Sequence, residues 1–211
     1  MSIVNTSAEQ RVVFYDVSWE TYLVLAAERN RPGKRISYDQ GVMEIMSPGM
    51  LHENISALIG RMVDAFTEEN AIEVCSSAGT TFKRDDLERG FEADASYYIA
   101  NCELVRSKKE IDLTLDPPTD LAIEIDISRS SLSKFAIYRS IGVPELWQYD
   151  GQTILCYILE ECGEYAPAAA SKVLPGFPFA KARGVLDRRH EVGETALMLE
   201  FREYVREQKV K

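Results

Sequence analysis

The chain contains 211 residues, of which 45% are hydrophobic and 27% are charged, a balance typical of one soluble globular domain. Its 34 Asp and Glu residues outnumber its 24 Lys and Arg residues, and the net charge of −10 excludes binding to nucleic acid or anionic membrane by bulk charge alone. No apolar run is long enough for a membrane span, and residues 1–10 lack the basic start and apolar centre of a signal peptide. We therefore predict a single cytoplasmic domain over residues 1–211, with no membrane partner.

The first half of the chain predicts two helices and several short strands. Ser18 is placed to cap a helix that runs to about Asn30, and residues 35–39 and 42–46 form a hairpin around Gln40-Gly41. A strongly periodic helix follows over about residues 51–70, with its apolar stripe facing a sheet. Further strands are predicted over residues 72–75 and 80–84, and another carries Asp94 through to Ile99.

The second half predicts helices and strands in alternation. After a charged loop come a strand over residues 120–128, a helix capped by Ser130 or Ser131 that ends near Gly142, and a hairpin over residues 143–159. A short strand near Tyr165 and a last helix over about residues 195–208 complete the chain. These elements predict an α/β (α+β) fold in which helices flank a mixed β-sheet and hairpins are added to it.

The cysteines do not form a metal-binding pattern. They are scattered at Cys75, Cys102, Cys156 and Cys162, without a Cys-x-x-Cys pair, and the chain has two histidines. We therefore expect no zinc cage and four reduced thiols.

The strand over residues 120–128 brings two acids to one face. Successive side chains of a strand point to opposite faces, so Glu124 and Asp126 lie side by side, about 7 Å apart, while isoleucines line the other face. Such a pair can hold a hard divalent cation, because two uncompensated carboxylates repel each other. The same alternation also fits a strand whose polar face contacts solvent.

Asp94 and Lys134 can join this strand from other parts of the chain. If the strand of Asp94 is a neighbour, a third carboxylate reaches the same face. Lys134 lies in an apolar stripe of its helix, so its ammonium must either extend to solvent or meet a buried acid such as Glu124. Acids and a lysine around a divalent metal are the groups that phosphodiester hydrolysis needs, but the same residues can also form a structural ion-pair network.

The order of short motifs resembles the bacterial Uma-two family of restriction-endonuclease-like proteins, which carries a PD-(D/E)XK nuclease core. The resemblance covers roughly residues 35–159 and consists of Met46-Ser47-Pro48, His52-Glu53, Gly79-Thr80-Thr81, Asp94, Asp120-Leu-Ala-Ile-Glu124, Ser128, Lys134, Tyr138, Gly142-Val-Pro-Glu-Leu-Trp147 and Asp150. By this resemblance the whole chain is one nuclease-like domain with a restriction-endonuclease-like core. The family relation implies a DNA endonuclease that uses Mg²⁺, for which Mn²⁺ can substitute.

The resemblance also implies roles for individual residues. Asp94 and Glu124 would bind the metal together with the backbone carbonyl of Ile125, and Lys134 would assist the attacking water from the helix that follows the strand. The chain departs from the family pattern in having Ala93 before Asp94, where proline is usual, and Asp126 where the generic motif has its lysine. A catalytically inactive interaction or regulatory module on the same fold therefore stays open as an alternative. Cutting both strands of a duplex calls for two sites, so we expect a homodimer.

Other side chains are candidates for supporting roles. His52 falls inside the apolar arc of its helix and Glu53 nearly opposite it, so we expect His52 to be the inward member of the site, although a lone buried histidine is more often part of the core. Basic residues that could contact phosphate, or be solvated charges, are Lys83, Arg84, Arg89, Lys108, Lys109 and Arg129.

Overall fold

Two β-sheets form the framework in the computed structural model, which describes residues 9–28, 33–77, 79–127 and 134–209. Sheet A contains β1 (Gln10–Phe14), β2 (Arg35–Asp39), β3 (Val42–Ser47), β5 (Phe82–Arg84) and β6 (Arg89–Phe91), in the antiparallel order β1-β3-β2-β6-β5. Sheet B contains β4 (Cys75–Ser76), β7 (Ala95–Tyr98), β8 (Leu121–Ile125), β9 (Glu145–Tyr149), β10 (Ile154–Leu159) and β11 (Tyr165–Ala168), in the order β11-β10-β9-β8-β7-β4. Strands β8 and β9 pair in parallel and the other neighbours of sheet B pair antiparallel, so the predicted mixed sheet is confirmed.

In the described part of the chain, six α-helices accompany the sheets: α1 (Trp19–Ala27), α2 (Met50–Asn70), α3 (Cys102–Val105), α4 (Lys134–Ile141), α5 (Phe179–Asp187) and α6 (Glu194–Lys209). The apolar stripe of α2 is buried from Ile55 to Phe66 and belongs to the same core cluster as β8, β9 and α6, whereas Leu51 at the start of the helix is exposed. Within the described ranges, no helix combines the length and the apolar character that a membrane span requires.

The local signals in the sequence locate several elements well. The side chain of Ser18 accepts a hydrogen bond from the backbone N–H of Thr21 and caps α1, although this helix ends at Ala27 and not near residue 30. The hairpin of β2 and β3 turns at Gln40 and Gly41, with φ values of 44° and 102°. Two positive φ values at a two-residue turn match the right-handed twist of the strands, which explains the glycine.

Strand β8 is buried on both faces. Leu121, Ile123 and Ile125 belong to the core cluster that contains α2, whereas Ala122 packs in a second cluster with Ile137 and other residues of α4. The face that carries Glu124 is therefore covered by protein. The alternative that this face contacts solvent is wrong, because α4 lies over it.

Some elements do not follow the predictions. The elements β1, β6, α3 and α5 were not predicted from the sequence, and Asp94 lies in a bend just before β7 and not within the strand. The predicted helix caps at Ser130 and Ser131 lie outside the described residues.

Cys75 and Cys102 form a disulfide with their Cα atoms 5.3 Å apart, so the expectation of four reduced thiols is wrong for this pair. The reason is tertiary. Cys75 pairs with Tyr98 across β4 and β7, and the turn after β7 returns Cys102 to the same place.

Candidate functional site

Asp94 and Glu124 come together across the pairing of β7 with β8. Ala95 is opposite Ile123 in the antiparallel register, so the next pair outward sets Asp94 against Glu124. The carboxylate Oδ2 of Asp94 accepts a hydrogen bond of 2.8 Å from the backbone N–H of Ile125, which fixes its position at the end of β8. Their side chains are 0% and 9% exposed, so the two carboxylates form a buried acid pair.

Lys134 approaches this pair from the first turn of α4. Its Nζ lies 2.7 Å from Oε2 of Glu124, and its side chain is 8% exposed. Burial lowers the pKa of a lysine, but the charges of Glu124 and Asp94 outweigh burial and raise the pKa of Lys134, so it stays a cation. One turn further along α4, the hydroxyl of Tyr138 donates a short hydrogen bond to Oε1 of Glu124.

The pKa of Glu124 is raised above its ordinary value. Burial is the largest cause, because it penalises the charged form, and the neighbouring charge of Asp94 acts in the same direction. Lys134 and Tyr138 act in the opposite direction, since an ammonium and a donated hydrogen bond favour the carboxylate. The charge of Glu124 therefore depends on its contacts with α4.

Two cationic side chains contact Asp94 from the other side. Nε of Arg35, at the start of β2, lies 2.7 Å from Oδ1, and Nε2 of His52, in the first turn of α2, lies 2.8 Å from the same oxygen. Burial raises the pKa of Asp94, but His52, Lys134 and Arg35 together outweigh it and hold this pKa below its ordinary value. Asp94 is therefore ionised although no part of its side chain is exposed.

His52 is held between two carboxylates. Its Nδ1 lies 2.6 Å from Oε2 of Glu9, and the other oxygen of Glu9 accepts a hydrogen bond of 2.6 Å from Nε of Arg11 in β1. Burial lowers the pKa of a histidine, but the close carboxylates of Asp94 and Glu9 raise the pKa of His52 to about 9. His52 lies inward with 0% of its side chain exposed, whereas that of Glu53 is 50% exposed.

Asp126 stays apart from the acid pair. Its side chain is 25% exposed, one of its oxygens accepts a hydrogen bond of 3.2 Å from Gln148, and the other lies 3.9 Å from Arg11. It follows that the acids that meet are Asp94 and Glu124, which come from two strands, and not the two neighbours on one strand. The alternation of side chains along one strand cannot show which two acids meet, because the pairing of strands decides this.

Three residues that surround the acid pair were not predicted from the sequence. Arg35 was predicted to lie in a hairpin and was given no role in the site. The one signal for such a role was its charge, next to the buried positions of β2. Arg11 lies in β1, which was not predicted, and Glu9 directly precedes it; nothing in the sequence relates the two residues to His52.

The basic candidates for phosphate contact are distributed differently. Nε of Arg84 donates a hydrogen bond of 2.8 Å to Asp86, and Nε of Arg89 donates one of 2.6 Å to Asp39. Lys83 is exposed and pairs with Asp85 at the surface, whereas the exposed Lys108 pairs with Asp116, whose side chain is 6% exposed. Arg129 lies outside the described residues.

The donor set of the acid pair suits a divalent cation of the magnesium type. Mg²⁺ is commonly held by one or two carboxylates and keeps several of its own waters. Asp94 and Glu124 supply two carboxylates, and the carbonyl of Ile125 belongs to the residue whose N–H binds Asp94. In the described part of the chain, no group of three or more His, Cys, Asp or Glu side chains is arranged to hold a metal ion, so a metal here relies on the pair.

Comparisons with known proteins identify both the family and the fold. The model of the family described as "Uma2: Putative restriction endonuclease" matches residues 19–179. The crystal structure of "a putative nuclease belonging to DUF820" from Anabaena variabilis ATCC 29413 is similar with a TM-score of 0.50 at 16% sequence identity, covering 88% of this chain and 99% of that chain. At this identity the similarity shows the fold, and it confirms the predicted α/β architecture. No curated protein matches the chain.

Proposed function

The chain belongs to the Uma2 family, and on the geometry of its buried acid pair we propose that it is a divalent-metal-dependent endonuclease that hydrolyses phosphodiester bonds of DNA. The observation that supports this proposal most directly is the meeting of Asp94, Glu124 and Lys134, with Nζ of Lys134 2.7 Å from Glu124. These residues are far apart in sequence and two of them are acids, so their common burial needs a reason beyond packing.

In this proposal Asp94, Glu124 and the carbonyl of Ile125 hold Mg²⁺, and Mn²⁺ can replace it. When bound, such a cation stabilises the charge that develops on the phosphoryl oxygens and lowers the pKa of water. The lowered pKa of Asp94 supports its role as a ligand, because a carboxyl group must be ionised to bind a metal. Glu124 would be ionised by the same cation that it helps to hold.

Lys134 would orient the attacking water and neutralise the charge that develops during attack. A lysine whose pKa is raised is suited to donating hydrogen bonds and not to accepting a proton. His52, with a pKa of about 9, is likewise protonated at neutral pH, so we assign it the role of positioning Asp94. A homodimer with two such sites would cut both strands of a duplex, and a single-domain protomer over residues 1–211 is part of the proposal.

The test is cleavage of supercoiled plasmid in Mg²⁺ or Mn²⁺, compared with the same reaction in EDTA. We expect Asp94→Asn and Glu124→Gln to lower the rate by more than about 100-fold, since removing even the outer partners of metal ligands typically costs 10–100-fold. Asp126→Asn is the matched control, because it neutralises an acid near the same strand end that does not contact Lys134. Circular dichroism of each variant checks that it is folded. Cleavage that persists in both acid variants, or that no metal supports in the parent protein, contradicts the proposal.

One observation favours a second function, a catalytically inactive interaction or regulatory module. Both oxygens of Asp94 and both oxygens of Glu124 already contact protein donors, namely Arg35, His52 and the N–H of Ile125 for the first acid, and Lys134 and Tyr138 for the second. A structural ion-pair network would look the same. Calorimetric titration with Mn²⁺ separates the two functions, because a module without a metal site takes up no ion, and an endonuclease binds it in a manner that Glu124→Gln weakens.

A further inference from the structure

Two neighbouring cavities lie at the surface of the protein. They have volumes of ≈ 420 Å³ and ≈ 690 Å³ and share Gly79 and Thr81 in their walls. We call the two together the basic groove. Its residues come from sequence segments that the proposed chemistry does not use.

The inner cavity adjoins the acid pair through Arg35. This residue lines the cavity, and its Nε lies 2.7 Å from Asp94, so one guanidinium contacts both the groove and the acid. The wall beside it is fixed by Glu92, whose two oxygens accept hydrogen bonds from the hydroxyl of Thr81 at 2.5 Å and from the backbone N–H of Ile36 at 3.2 Å. A ligand in this cavity is therefore separated from Asp94 by the guanidinium of Arg35.

The outer cavity concentrates positive charge in a chain whose net charge is −10. Its lining includes Lys83, Arg106, Lys108 and Lys109, against one acid, Glu110. Serines and threonines also line the cavity, and their backbone and hydroxyl groups can bind phosphate as well.

Two of the paired cations stay available to a ligand. Lys83 contacts Asp85 at 3.1 Å, and Arg106 contacts Glu103 at 2.7 Å and Glu73 at 3.0 Å, in pairs whose side chains are 43% to 79% exposed. Exposed pairs of this kind contribute about 0–1 kcal/mol, so a phosphate can replace the acid at small cost. Lys108 instead pairs with Asp116, whose side chain is 6% exposed, so we do not count it as available. Lys109 is exposed and makes no ion pair within the described residues.

We propose that the basic groove binds the phosphate backbone of DNA and leads it to the Asp94–Glu124 pair. This inference rests on the proposed function and names the surface by which the substrate is held. The tyrosine of the groove wall, Tyr98, is 1% exposed and its hydroxyl is bound to the carbonyl of Pro117. It offers no face for base stacking, so the groove holds DNA through phosphates, independently of sequence.

Charge neutralisation at phosphates predicts a specific salt dependence. Each cation that contacts a phosphate of duplex DNA contributes about 0.9 to the slope of log K against log salt, because it releases condensed counterions. The double substitution Lys83→Gln/Lys109→Gln is therefore expected to lower this slope by about 1 to 2 and to weaken binding roughly tenfold or more at about 0.1 M salt.

The experiment measures anisotropy of a fluorescently labelled DNA duplex with the full chain in EDTA, where the proposed metal chemistry is absent. The matched control is Lys172→Gln/Lys209→Gln, which removes the same two charges from exposed positions outside the groove. The inference is supported if the groove pair lowers affinity and slope and the control pair does not. It is overturned if the two pairs lose affinity equally, or if the parent protein binds no duplex at low salt. Because this assay requires no cleavage, a protein that binds by the groove but never cuts plasmid would overturn the proposed function and leave the groove assigned.

Discussion

Replacing Lys134 with methionine removes the ammonium from Glu124 while nearly preserving side-chain volume. The main change is the loss of a buried positive charge, since Lys134 is buried and its Nζ lies 2.7 Å from Oε2 of Glu124. A buried carboxylate that loses its cation either remains charged at a high cost or takes up a proton. The variant thus measures how strongly the fold depends on this ion pair.

The cost follows from the energy of protonating Glu124. In the unfolded chain this group titrates near its ordinary pKa of 4.5, and in the folded variant its pKa lies higher, because burial raises it and the opposing charge of Lys134 is gone. Protonation at pH 7 then costs at most about 3.5 kcal/mol, at about 1.4 kcal/mol per pH unit above the ordinary value, and less than about 1 kcal/mol at pH 5. Because the pKa of Glu124 is raised in the folded variant, the variant is most stable at low pH and loses stability as the pH rises.

Urea denaturation at pH 5 and pH 7 checks this expectation as the difference in unfolding free energy between parent and variant. The matched control is Lys83→Met, because Lys83 pairs with Asp85 at the surface and its loss should cost no more than about 1 kcal/mol at either pH. Adding Glu124→Gln to Lys134→Met should recover most of the stability and remove the pH dependence. A loss at pH 7 as small as that of the control, or a loss that grows toward pH 5, would refute the reasoning.

Three further substitutions test contacts around the site and packing elsewhere in the fold. Tyr138→Phe removes the hydroxyl that donates to Oε1 of Glu124, and since hydrogen bonds to charged groups contribute about 1.5–3 kcal/mol, we expect a loss of about 2 kcal/mol in urea denaturation; an unchanged midpoint would contradict the contact. Gly90→Ala should lower the melting temperature, because its new Cβ would lie 2.0 Å from the hydroxyl oxygen of the buried Tyr22, and overpacking of this kind typically costs about 1–3 kcal/mol. Gly184→Ala should instead raise the melting temperature, because nothing lies within 4 Å of the new Cβ in α5 and alanine is more favourable than glycine inside a helix by up to about 1 kcal/mol. Shifts of the same sign in both glycine variants would argue against the steric account.

Local patterns predicted those parts of the fold that local forces determine. Ser18 caps α1 because its side chain binds a backbone N–H three residues later, and Gly41 turns the hairpin because it permits a positive φ. The long helix α2 followed from its apolar period. In contrast, β1 was not predicted, because its five residues alternate only between exposed and half-buried positions and carry no strong apolar period.

The sequence by itself determined the residue types of the site, the acidic strand β8 and the helical position of Lys134 one turn before Tyr138. The tertiary structure decided which acid meets Glu124: Asp94 and not Asp126, because the register of β7 on β8 sets Asp94 opposite and leaves Asp126 beyond the strand end. It also decided that Arg35 and His52 contact Asp94, since sheet A and α2 reach that carboxylate from distant parts of the chain. Side-chain periodicity is a local property of the backbone, whereas the pairing of charges across strands depends on long-range register, which no single segment encodes.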